Sequence, residues 1–186
     1  MWTDTIEAHR ATVRDATLDT AEALITEHGL TGVTMSRLAE ATGIGRATLY
    51  KYFPDAEAVL HAWHERQITR HLTHLKQIRD QPGAPADRLT AVLTAYAGMT
   101  RHRHHGAIAA ALHRGAHTIT AHQQLTALIE NLITDATAAG CVRTDVPATE
   151  LADYCLHALT AATGLDSEAA VHRLVTVTIT GLRPTA

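Results

Sequence analysis

Apolar residues recur three and four positions apart through most of the chain, the period of a helix with one buried face. Val13, Leu18, Ala21, Leu24 and Ile25 predict a first helix from about Thr5 to His28, stopped by Gly29. A second helix starts after Thr34, a good N-cap, and ends at Gly43; a third covers roughly Arg46 to Tyr52. A fourth is capped by Asp55, directly after Pro54, and runs to about Arg79. The stretch from Asp80 to Pro85, with two prolines and a glycine, separates it from the rest of the chain.

Five more helices are predicted beyond that linker. Leu89, Val92, Leu93 and Tyr96 mark one, and Ile108, Ala111 and Leu112 a short one. Three long stripes complete the chain: Leu125 to Ala136, Leu151 to Ala162, and Val171 to Leu182. The run Val175-Thr176-Val177-Thr178-Ile179-Thr180 alternates like a strand. A lone strand would have no partner, and the helical stripe passes through the run in register from Val171, so helix is expected. The pattern describes an all-α chain of about nine helices.

Composition fits this picture. The chain has 186 residues, 46 % hydrophobic but only 4 % aromatic, so its core is built from Leu, Ile, Val, Ala and Thr. The formal net charge is −3, so any affinity for nucleic acid must come from a local patch. Cys141 and Cys155 lack metal-motif spacing and are expected to be reduced, structural thiols. The polar, acidic start and the lack of a membrane-length apolar run predict a cytoplasmic protein without membrane contact. Neither a phosphate-binding loop nor a dinucleotide fingerprint is present. The serines, Ser36 and Ser167, sit at helix starts, so no enzyme is expected.

The candidate chemistry lies between Thr34 and Phe53. Two short helices joined by a tight turn with Gly43 and Gly45 follow helix-turn-helix grammar. Leu38, Ala39, Ile44 and Leu49 are spaced to pack the pair on the first helix. Arg46, Thr48, Tyr50, Lys51 and Tyr52 cluster on the second helix, where Arg, Lys, Tyr and Thr donors suit phosphates. Its first residues read bases: Arg46 can pair with guanine, and Ala47 can touch a thymine methyl. Arg37, Arg46 and Lys51 stand against Glu40, a small excess of the right sign.

From Val13 to Leu60 the chain resembles the tetracycline-repressor-like (TetR) family. Gly29, Thr34, Ala39, Gly43, Leu49, Tyr50, Phe53 and Glu57 carry the likeness, and the run Gly45 to Pro54 is its most specific part. The later half is similar more loosely, through Ala139 to Val146 and Gly181-Leu182. The resemblance implies a three-helix DNA-binding domain over residues 1–54 and a ligand-sensing and dimerisation domain over 55–186. It implies Thr34, Thr48, Tyr50 and Tyr52 near phosphates and Arg46 and Ala47 near bases. It also implies a homodimer through the last two helices, a palindromic operator in double-stranded DNA, and a small-molecule effector that releases a repressor. No cofactor is expected. One position departs: members usually carry a phosphate-touching Lys at the start of the fourth helix, and here Ala56 stands between Asp55 and Glu57. A salt dependence shallower by about one unit of slope is expected.

Leu151, Cys155, Leu159, Leu174, Ile179 and Leu182 are apolar residues that such a dimer would cover, unless the chain's own core takes them. The 14 histidines admit several readings. Many, including His102, His104 and His105, fit solvated substitutes for lysine. On the fourth helix, His61, His64 and His71 fall within the apolar arc of Leu60, Ile68, Leu72, Leu75 and Ile78. They are predicted to face the domain body, as satisfied core histidines or as the wall of an effector cavity. His64 and His71 are the ligand candidates, with Tyr96 and His122 on neighbouring stripes. His113 and His117 have a metal-ligand spacing, but Gly115 lies between them and no acidic residue or cysteine is near, so no metal site is expected. The rival class is a helical interaction module that has lost ligand response or DNA binding.

Overall fold

The computed structural model describes residues 2–102 and 116–184, and among these it contains helices and no strand. In chain order they are α1 (Trp2–His28), α2 (Met35–Thr42), α3 (Arg46–Leu49), α4 (Ala56–Arg79), α5 (Pro85–Arg101), α6 (Ala116–Ala138), α7 (Ala148–Thr160) and α8 (Glu168–Gly181). Short 3-10 turns follow α1 (Leu30–Gly32) and α7 (Ala161–Gly164). The helix expected around Ile108, Ala111 and Leu112 lies outside the described residues, as do His104, His105 and His113.

The β-branched run is helical, inside α8. Thr176, Thr178 and Thr180 each donate a hydroxyl to the carbonyl four residues back, at 2.9, 2.9 and 2.7 Å. The bond at buried Thr178 gives a partner to a hydroxyl that the core shields from water. Val171, Val175, Thr178 and Leu182 bury one stripe at helical spacing. Burial of a continuous face outweighs the modest strand preference of the run.

The chain divides into two compact units, with the division inside α4 between Gln67 and Ile68. In the first, Leu18, Ala21 and Ile25 of α1 meet Leu38 of α2, Leu49 of α3 and Val59, Leu60 and Trp63 of α4 in one apolar cluster. Arg66 of α4 binds Asp19 at 2.8 Å and Glu22 at 3.3 Å, both on α1, with only 17 % of its side chain exposed. In the second, α5 packs against α6, α7 and α8. Val92, Leu93, Ile129, Ile133, Cys155 and Leu159 lie at the centre of that core. The Arg143 amide donates to the Leu182 carbonyl at 2.8 Å, fixing the loop before α7 to the end of α8. Burial pushes the Cys155 thiol up to about 12, leaving it protonated and inert.

Candidate nucleic-acid interface

Thr34 sets the start of α2, as its sequence position predicts. Its extended backbone turns into the helix while its hydroxyl accepts from the Arg37 amide at 3.3 Å. A hydroxyl that accepts one bond still has its own proton to donate outward. At the other end, Gly43 adopts the left-handed conformation (φ 69°), which ends α2 and turns the chain toward α3. The Gly45 carbonyl then accepts from the Thr48 and Leu49 amides at 2.8 and 3.1 Å, opening α3.

Regular helix is shorter here than the pattern predicts. α3 ends at Leu49, and Tyr50 to Tyr52 continue as turns, with Lys51 N–H donating to Thr48 O and Tyr52 N–H to Leu49 O. Pro54 accounts for the difference, because the residue before a proline is pushed out of helical geometry. The element still sorts its residues by side. Leu49 is 0 % and Phe53 2 % exposed, whereas Arg46, Ala47, Thr48, Tyr50 and Lys51 are exposed. Tyr52 is half-buried against the apolar cluster. Arg37 is exposed but partly committed, since its Nη1 donates to the Gly32 carbonyl at 3.2 Å. α4 begins as expected: the Asp55 carboxylate accepts from the Ala58 amide at 2.7 Å. Ala56 is half-buried between exposed Asp55 and Glu57, so the first turn of α4 offers no cation.

Sequence reasoning missed two arginines of this unit. Arg66 is the tie to α1 described above. Arg14 of α1 places its guanidinium 4.7 Å from the centre of the Phe53 ring. The available signal was the α1 stripe itself, which Arg10 and Arg14 continue toward the N-terminus at four-residue spacing.

The histidine expectations divide. His64 is 8 % exposed beside Trp63, with ring centres 6.5 Å apart. Tyr96 is also 8 % exposed, in the core of the second unit. His61 is half-buried and pairs with Glu57 at 3.7 Å. His71 and His122 are exposed, contrary to the expected inward orientation. In the later half of α4 only Leu75 is fully buried, so the face that carries His71 has too little cover to enclose it. Thr100, one turn beyond Tyr96 on α5, was not anticipated; it is 1 % exposed and its hydroxyl has no hydrogen-bond partner among the described residues. Among the described residues no three His, Cys, Asp or Glu side chains converge as a metal site.

The residues expected at a dimer interface divide. Leu151, Cys155, Leu159 and Leu182 are at most 5 % exposed inside a single chain and belong to its own core. Leu174 and Ile179 are half-exposed. The uncovered apolar groups of the last two helices lie on their flanks instead: Tyr154 (45 % exposed) on α7 and Val177 (67 %) on α8. Tyr154 lies close to Gly181 of α8, where a β-carbon would stand 3.1 Å from its hydroxyl.

A short helix, a glycine turn and a second helix with a polar outer face form a helix-turn-helix head. Residues 18–63 match the model of the bacterial regulatory proteins of the TetR family, and residues 84–184 match the C-terminal domain of SbtR-like transcriptional regulators. The chain belongs to the TetR family. The HTH-type transcriptional regulator Rv1255c of Mycobacterium tuberculosis is 37 % identical over 100 residues, 53 % of this chain and 50 % of that protein. The chain thus spans about half the length of the curated relatives it matches. A TetR/AcrR-family regulator from Thermobifida fusca has the same fold, with a TM-score of 0.75 at 19 % identity over 92 % of this chain and 99 % of that one. The TetR regulator SCO0520 of Streptomyces coelicolor superposes with a TM-score of 0.65 at 26 % identity, covering 93 % and 99 % of the two chains. This family and fold are those of transcription regulators. Among the described residues no helix is long and apolar enough to cross a membrane.

Proposed function

We propose that the chain is a dimeric, sequence-specific DNA-binding regulator, a repressor released from its operator by a small molecule. One observation carries the reading: Arg46, Ala47, Thr48, Tyr50 and Lys51 are exposed together, while Leu38 and Leu49 behind them are fully buried. Residues 1–54 form the reading head and residues 55–186 the sensing and pairing domain. Arg46 and Ala47 meet base edges in the major groove; Thr34, Thr48, Tyr50, Lys51 and the hydroxyl of Tyr52 meet phosphates, and Arg37 gives its remaining donors. Two heads related by a two-fold axis read a palindrome.

Pairing uses the outer flanks of the last two helices: Tyr154 and Ala158 on α7, and Leu174, Val177 and Gly181 on α8. These are apolar or small and lack full cover within one chain, as an isologous four-helix interface requires. For the effector, Tyr96 and the Thr100 hydroxyl of α5, which has no hydrogen-bond partner among the described residues, supply polar contact inside an apolar core. The exposed His71 and His122 have no part in an enclosed site.

Selection of binding sites from a random DNA pool by the purified protein, with sequencing of the recovered pool, tests the reading. A palindrome is expected, and Arg46→Ala should bind it at least about 30-fold more weakly with relaxed base preference, since a bidentate arginine–guanine pair is worth about 1–3 kcal/mol and the two half-sites count it twice. Absence of any enriched sequence at low salt would leave a helical interaction module as the better reading.

A further inference from the structure

We propose that Arg14 of α1, continued along the same face by Arg10, makes the DNA-phosphate contact that Ala56 cannot make. The proposal rests on the DNA-binding reading above and adds a second element to its interface.

Arg10, Arg14, Leu18, Ala21 and Ile25 are spaced by four, four, three and four residues, so they share one face of α1. Leu18, Ala21 and Ile25 bury that face in the core of the head. Arg10 and Arg14 are exposed, so the face changes from apolar to cationic where the core ends. Beyond the core the same face of α1 presents two cations outward, a charge suited to an anionic partner.

The arginines that serve this fold are tied to oxygen. Arg66 binds Asp19 and Glu22, Arg88 binds Asp135, and Arg143 binds Asp145. Arg14 has no such partner among the described residues; its contact is the Phe53 ring, 4.7 Å below the guanidinium carbon. An aromatic face orients a guanidinium without using its N–H donors. Phe53 comes directly after Tyr50, Lys51 and Tyr52 and precedes Ala56 by three positions. Arg14 therefore holds an oriented, unspent cation at the end of the recognition segment. A bidentate phosphate contact is what that fork is shaped for.

The test uses the full dimeric protein and a palindrome obtained by selection, with affinity measured from 50 to 200 mM salt. Arg14→Gln should reduce the slope of log K against log salt by about 1.8, one phosphate contact from each of the two protomers, so that its deficit shrinks roughly 12-fold across that range. Arg14→Lys, which keeps the charge, should restore the slope. An unchanged slope in Arg14→Gln overturns the proposal. So does an equal loss at every salt concentration with a lowered melting temperature, which would mark Arg14 as a brace for Phe53. If the unaltered protein binds no DNA, the proposal falls together with the DNA-binding reading, and failure of the parent protein distinguishes that case from the other two.

Discussion

Val177→Ser separates the proposed pairing surface from the core that holds one chain together. Val177 is 67 % exposed on α8. Fully burying a valine side chain contributes about 1.5–3 kcal/mol, so covering this remaining surface contributes about 1–2 kcal/mol per copy. A two-fold interface counts the residue twice, giving about 2–4 kcal/mol, or roughly 30- to 700-fold in the dimer dissociation constant. Valine and serine have similar helix propensities, so the stability of a single chain should change by no more than about 0.5 kcal/mol. Leu159, 0 % exposed on α7, supplies the contrast. Leu159→Ala leaves a cavity in the core of one chain and should lower its unfolding free energy by about 2–5 kcal/mol. Sedimentation equilibrium across a concentration series measures the first effect, and urea unfolding under dissociating conditions the second. If Val177→Ser associates as tightly as the parent, the flank formed by Tyr154, Leu174 and Val177 is not the pairing surface.

Two other perturbations have outcomes worked from single sites. Asp55→Ala removes the carboxylate that accepts from the Ala58 amide and should destabilise the start of α4 by about 1 kcal/mol, measured by thermal unfolding of the head. The Cys155 thiol, raised from 9.0 to about 12 by burial, should resist alkylation at pH 8 while exposed Cys141 reacts, so a thiol count should find one group in the native protein and two in denaturant. Because the folded value is the higher one, the stability linked to Cys155 is fully present below pH 9.0 and is lost as pH rises from there toward 12. Urea unfolding at pH 8 and pH 10.5 should show that decline, and Cys155→Ala should show less of it.

Local chemistry made much of the architecture legible before any coordinates. Thr34, Asp55 and Ser167 cap helices because a short oxygen-bearing side chain can accept from an amide three residues on, and each does. Gly43 ends α2 because the turn needs a positive φ. The stripes in α1, α5, α6, α7 and α8 each reported a buried face through their spacing alone. The helix-turn-helix was readable for the same reason, since its turn, caps and exposed polar residues fall within about twenty consecutive positions. Spacing within one helix says which residues share a face, and nothing about what covers that face. Tertiary packing alone decided that Leu151, Cys155, Leu159 and Leu182 belong to the interior of one chain and left Tyr154 and Val177 uncovered. It also left His71 in solvent, where the angular position of the residue on α4 pointed inward. Arg14 meets Phe53 across 39 positions of sequence, a contact that no local pattern encodes because it depends on where α1 crosses the end of the recognition segment.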